Sequence, residues 1–246
     1  MKIQHLIINT SFFSLLTSSA FLNAAEQVGA MTLQQLCEPL PIQASSQQIQ
    51  AREQCTKQIA PKQIANYFTD IYQKTAGKLS LQYLDNSKLE LQDFVEDDPE
   101  RYQVFSLWGC DASKRYCVIY KAGWERWRYL LVDRKSKITT ELTGYPVFSP
   151  DSQLVFEYLD SRISETFSRN IIKLYRLTAA EPKLLLSDNG ADFGVQSAKW
   201  LSATTLEAKL QHFAANDFSR YIEAGAMQLV VNGDEVKMTV EKAAKQ

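Results

Sequence analysis

TGYPVFSPDSQLVFEYLD, residues 143–160, holds two runs of alternating apolar residues around the turn Ser149-Pro150-Asp151-Ser152. Proline presets φ for a turn, and an aspartate side chain bonds back to its own backbone, so these four residues predict a hairpin. The fold depends on whether this hairpin stands alone or belongs to a series.

The neighbouring sequence supplies a series. LSLQYLDNSKLELQDF (79–94) turns at Asp85-Asn86, and YQVFSLWGC (102–110) faces YCVIY (116–120) across a short connection. WRYLLVDRKSKITTEL (127–142) turns at Arg134-Lys135-Ser136, and IIKLYRLTAAEPKLLL (171–186) turns near Ala179-Ala180. AKWLSATTLEAKLQHF (198–213) turns at Ser202-Ala203, and MQLVVNGDEVKMTV (227–240) turns at Asn232-Gly233-Asp234. Strands at this spacing, with no helices between them, predict a mainly β chain built as an antiparallel meander.

FSPDSQLVFEY resembles one half of a blade in the TolB-like and WD40-like β-propeller repeats. Those families join two strands through Ser-Pro-Asp after an aromatic residue, and the matching residues are Phe148, Ser149, Pro150 and Asp151. AKWLSATTLEAKL has a comparable layout with Trp200 in place of Phe148, but it lacks the Pro-Asp pair. IIKLYRL and RYLLVDR resemble the repeat's strands that end in a short hairpin. The resemblance covers about residues 100–240, with a period of roughly 40–50 residues, inside the propeller range. It implies a partial propeller-like domain, because only about three blade-sized units fit where closed propellers have four or more. An open meander, a partial propeller completed by a partner and a twisted β-sandwich all remain open.

The N-terminal part reads differently. Residues 1–25 hold Lys2 as their only formal charge, then the apolar run LIINTSFFSLLTSSAFL (6–22), then small residues in NAAEQ. A positive start, an apolar middle and a small-residue end have the order of a secretory signal. Residues 26–78 are expected to be helical: SSQQIQAREQCTKQIA opens on serines suited to an N-cap. Pro61 interrupts this pattern, and Ile64, Tyr67, Phe68, Ile71 and Tyr72 then follow at helical spacing up to Gly77. The expected organisation is a signal peptide at 1–25, a helical segment at 26–78 and a β-rich, propeller-like domain at 79–246.

Of 246 residues, 45% are hydrophobic and 22% charged, an ordinary globular composition. Lysine and arginine number 27 against 28 acidic residues, a net charge of −1. That balance gives no basic field for nucleic acid, and no run after the signal is long and apolar enough for membrane insertion.

All four cysteines lie after the signal. An even count in an exported chain implies disulfides. A hairpin brings Cys110 and Cys117 opposite one another, which leaves Cys37 and Cys55 for each other. Zinc chemistry would need four ligands gathered from two distant pairs, and no Cys-x-x-Cys occurs.

Reactive constellations are not visible. Removing the signal takes His5 and leaves His212 alone, so a two-histidine metal site and H-E-x-x-H are excluded. There is no Gly-x-Ser-x-Gly, P-loop or dinucleotide-binding glycine pattern. Glu96, Asp97, Asp98 and Glu100 could serve carboxylate-based hydrolysis only if two of them faced each other across a cleft; a solvated loop is the expectation. The most suggestive binding feature is KAGWERWRYLL, where Trp124, Arg126, Trp127 and Tyr129 gather around a turn with Arg128. Aromatic residues beside arginine are enriched at interfaces and equally in cores.

The expectation is therefore a periplasmic or secreted, non-catalytic protein-binding protein of a bacterial-type envelope, in a role such as inhibitor or immunity protein. It would need no cofactor or metal, and its partner would be a protein. A carboxylate-based hydrolase of an envelope polymer and a structural envelope component are the alternatives.

Overall fold

A computed structural model describes residues 31–32, 37, 46–96, 98–124, 127–159, 170–189, 193–214 and 217–243. The expected signal peptide lies outside them. The chain is mainly β, with a small helical segment near its N-terminal end.

Helix α1 (Ser46–Gln54) and helix α2 (Ala60–Tyr67) run into one another through a π-helical turn at Cys55–Ile59. Pro61, which lacks an N–H, falls in the first turn of α2, so the helix is widened before it rather than broken. Ala60 and Ile64 of α2 are buried, and so is Phe68 just beyond it. The expected helix is too long. It stops at Tyr67, and Tyr72–Thr75 is a strand. Ala76 and Gly77, both at positive φ, turn that strand straight into Lys78–Gln82. This is the two-residue hairpin that left-handed residues favour, and it overrides the helical spacing of Ile71 and Tyr72.

Among the described residues, sixteen strands follow or flank this segment. β2 (Tyr72–Thr75), β3 (Lys78–Gln82) and β4 (Lys88–Gln92) form a three-stranded sheet. β5 (Gln103–Cys110), β6 (Tyr116–Gly123), β7 (Trp127–Asp133) and β8 (Thr139–Leu142) form the second, with β1 (Met31–Thr32) added at the edge of β5. β9 (Tyr145–Phe148), β10 (Leu154–Leu159), β11 (Ile171–Arg176) and β12 (Lys183–Asn189) form the third. β13 (Gly194–Trp200), β14 (Thr205–Ala214), β15 (Asp217–Asn232) and β16 (Glu235–Lys242) form the fourth. Every described pairing is antiparallel, and within each sheet the strands from β2 onward lie in chain order.

The opening hairpin is one of a series. Its turn is closed by Ser149 N–H to the Leu154 carbonyl at 2.9 Å, by Ser152 N–H to the Ser149 carbonyl at 2.9 Å, and by Leu154 N–H to the Ser149 hydroxyl at 2.9 Å. The β5–β6 turn repeats this: Asp111 N–H to the Tyr116 carbonyl at 2.9 Å, Lys114 N–H to the Asp111 carbonyl at 3.0 Å, and Tyr116 N–H to the Asp111 carboxylate at 2.7 Å. Ser152 and Lys114 both take positive φ at the equivalent position.

A second bond recurs in all four sheets. The residue before the second strand of each unit accepts an N–H from the end of the next strand. These are Ile71 from Gln82 at 2.8 Å, Arg115 from Arg134 at 2.9 Å, Gln153 from Leu177 at 2.8 Å and Thr204 from Val231 at 2.9 Å. In the first sheet that residue, Ile71, precedes the sheet's first described strand, β2, and the helical segment comes before it in the chain.

The sheets stack in sequence. One core cluster joins the first two sheets to Phe148, Val155 and Leu177 of the third, and another joins the third to the fourth. β10 is sandwiched, so all six of its residues are buried. Arginines close the seams at one end. Arg134 donates to the carbonyls of Gln82 and Lys114 at 2.5 Å each. Arg115 and Tyr116 both reach the Thr178 carbonyl, at 3.3 and 3.1 Å. Arg176 and Lys183 hold Asp234 of the fourth sheet at 3.3 and 2.7 Å.

The outward faces of the two end sheets are polar. The first presents Lys78, Lys88, Glu90 and Gln92, and the last presents Glu207, Lys209, Gln228, Lys237 and Glu241, all exposed.

Both disulfides are present: Cys37–Cys55 with Cα atoms 5.8 Å apart, and Cys110–Cys117 at 4.0 Å across the β5–β6 ladder. No described helix is long and apolar enough to cross a membrane.

Candidate interaction surface

The end of the second sheet opposite its disulfide carries Trp124 and the acidic loop, two of the features that the sequence singled out. Phe94 forms an isolated bridge with Gln103, and Gln103 pairs with Gly123. Those three residues make the last row of the ladder. One position further out on each chain lie Val95, Tyr102 and Trp124. Neighbouring strands are about 4.8 Å apart, so these three residues lie side by side along the sheet end. Tyr102 and Trp124 meet edge to face, ring centroids 6.1 Å apart at 81°. Val95 is 66% exposed and Trp124 62% exposed. An exposed tryptophan held by an aromatic neighbour has the large contact area and low mobility of an interface anchor.

The acidic loop rims this row. The Asp98 carbonyl accepts the Tyr102 N–H at 2.9 Å, and its carboxylate accepts the Glu100 N–H at 3.0 Å. Arg101 lies 4.0 Å over the Phe94 ring and reaches Glu96 at only 3.9 Å. Glu96, Asp98 and Glu100 are exposed on this loop, and Asp97 lies outside the described residues. An exposed pair at that distance contributes little to stability, and the loop presents its carboxylates to solvent. Among the described residues, no group of three or more histidine, cysteine, aspartate or glutamate side chains is placed to hold a metal.

The structure does not bring all the nominated aromatics to the surface. Tyr129 is 1% exposed, packed between Trp108 at 5.0 Å and Tyr145 at 5.6 Å, so it is a core residue and not part of a patch. Trp127 is partly buried against the same core. Burial pushes the Tyr129 phenol well above its ordinary value. Arg128 turns to Glu141 at 3.2 Å and to the Trp127 carbonyl at 2.8 Å. Arg126 lies outside the described residues. Trp108 and Trp200 are buried, and the Trp200 indole donates to the Val147 carbonyl at 3.0 Å, covering the edge of β9. His212 is exposed on β14.

Sequence reasoning missed Val95 and Tyr102. The alternation of LELQDF, which carries on past the strand to Phe94, was the signal that the loop returns beside β5. The edge of β5 is closed there by Asp93, which accepts the Phe105 N–H at 2.8 Å while holding Lys74 at 2.7 Å.

Compared with known proteins, the chain matches no family model, no curated protein and no solved structure.

Proposed function

We propose that this is an exported protein, periplasmic or secreted, that works by binding another protein and carries out no catalysis itself. Its sheets are read as blades of an incomplete propeller, a reading supported by the turn shared by Asp111 and Ser149. A role as an inhibitor or immunity protein of a bacterial-type envelope suits an exported scaffold of this kind. The two disulfides support export, since such bonds persist in oxidising compartments.

The observation that carries the binding reading is Trp124: 62% exposed, yet fixed edge to face against Tyr102. Tryptophan is among the residues most enriched at binding hot spots. The test uses the oxidised chain from Glu26 as bait in envelope extract. One stoichiometric protein retained by the native chain and lost with Trp124→Ala is expected. No protein partner at near-native concentration would sink the reading.

A further inference from the structure

We propose that the partner presents a basic rim around an apolar recess, and that the row Val95–Tyr102–Trp124 fills that recess; this rests on the binding reading above. Two observations meet here. The first is the apolar row itself, whose two outer members are exposed by 66% and 62%. The second is the charge beside it. The loop that carries Val95 and Tyr102 exposes Glu96, Asp98 and Glu100, and Arg101 is its one basic residue. That guanidinium lies over Phe94 at 4.0 Å and only 3.9 Å from Glu96, an exposed pair that offsets little of the loop's negative charge.

A surface of this kind discriminates between occupants. A second copy docking through the same row would set acidic loop against acidic loop, and like charges in contact are costly. An acidic or neutral polymer gains nothing from the rim. A protein with lysine and arginine around an apolar pocket gains steering from the carboxylates and affinity from the buried ring. The rim then governs the association rate and the tryptophan governs the residence time.

The experiment titrates the protein retained from envelope extract, once purified, against three full-length oxidised chains: native, Trp124→Ala, and Glu96→Lys/Asp98→Lys/Glu100→Lys. Association and dissociation rates are read at low and high NaCl. Trp124→Ala is expected to speed dissociation by about tenfold or more. The triple reversal is expected to slow association by about tenfold at low salt and to reverse its salt dependence, so that added NaCl speeds association. Both variants change only exposed side chains, and an unchanged melting temperature confirms their fold. Loss on Trp124→Ala with an association rate indifferent to salt and to charge reversal overturns the basic rim while leaving the binding reading standing. Retention unchanged by Trp124→Ala overturns both, as does recovery of the chain's own second copy or of a glycan alone.

Discussion

The Asp111 carboxylate and the Ser149 hydroxyl occupy equivalent places in consecutive sheets: each accepts the backbone N–H of the residue five positions on, Tyr116 at 2.7 Å and Leu154 at 2.9 Å. Both acceptors are buried, so removing either leaves a buried donor without its partner. Asp111 also takes the Ser113 N–H at 3.2 Å and the Ser113 hydroxyl. Asp111→Ala should therefore cost about 2–3 kcal/mol and Ser149→Ala about 1 kcal/mol in urea unfolding. Equal costs would mean that the shared turn does not depend on its acceptor's charge.

Glu157 ties the second sheet to the third. It is wholly buried; one oxygen accepts the Thr143 and Gly144 N–H groups at 2.8 Å each, and the other accepts the Tyr175 hydroxyl at 2.9 Å. Glu157→Leu strands those donors and should cost about 3 kcal/mol or more. Gly144→Ala attacks the same junction sterically, because a Cβ there would sit 2.4 Å from the Tyr158 carbonyl oxygen. All the atoms it would meet are backbone of Tyr158 and Leu159, which cannot swing aside as a side chain can, and a loss of about 2–3 kcal/mol is expected. A native-like melting temperature for either variant would contradict this account.

Trp124 and Tyr129 are close in sequence and opposite in role. Trp124→Ala should change unfolding stability by less than about 0.5 kcal/mol, since the ring is on the surface. Tyr129→Ala empties a site in the aromatic core and should cost about 3–5 kcal/mol. If the larger loss came from Trp124, the exposed row would be a structural seam and not a contact surface.

Stability should fall at both extremes of pH. The hydrogen bond from Lys114 holds the Asp70 carboxyl below its ordinary value, and bonds from Lys137 and Ser87 hold Asp85 down to about 2. With folded values below unfolded ones, that stabilisation is present above about pH 4 and is lost as pH falls toward 2. These pairs are exposed, so the loss is small. Burial raises the phenols of Tyr72, Tyr120, Tyr129 and Tyr175. Their stabilisation is complete below about pH 10 and is lost as pH rises above it, because the unfolded chain ionises first. Phenolate absorbance and circular dichroism followed together should show a buried set of tyrosines ionising only as the sheets come apart. Smooth titration of every tyrosine in a folded chain would refute it.

The disulfides should differ in weight. In the loop-entropy model, a separation of 7 residues gives the Cys110–Cys117 bridge about 2 kcal/mol and one of 18 gives Cys37–Cys55 about 3 kcal/mol. Calorimetry of the two double-alanine variants ranks them.

Much of the architecture was legible because each turn announces itself locally. Asp85-Asn86, Pro150-Asp151 and Asn232-Gly233 set backbone angles that the flanking strands then follow. The Cys110–Cys117 pairing came from the same local reading, and Cys37–Cys55 followed by elimination. What was not legible is tertiary. Ile71 and Tyr72 continue a helical stripe, yet the Ala76-Gly77 turn makes them lead into a strand that packs beside β5. Tyr129 looked like Trp124 in sequence, and only the register that sets it opposite Tyr120 and Leu142 puts it inside. Two of the three residues of the interaction row, Val95 and Tyr102, come from a loop whose return to β5 is held by the bridge between Phe94 and Gln103 and by Asp93 on the Phe105 N–H.

The hydrophilic outer faces of the end sheets make the stack finite. Each unit leans on its neighbours through shared cores, so the molecule behaves as a short one-dimensional chain of coupled elements. Amide exchange should open it from the two ends inward, with β6 and β10 opening last. The same grammar, a turn and one strand-closing bond repeated unit after unit, is the kind that gene duplication can lengthen without redesigning the interior.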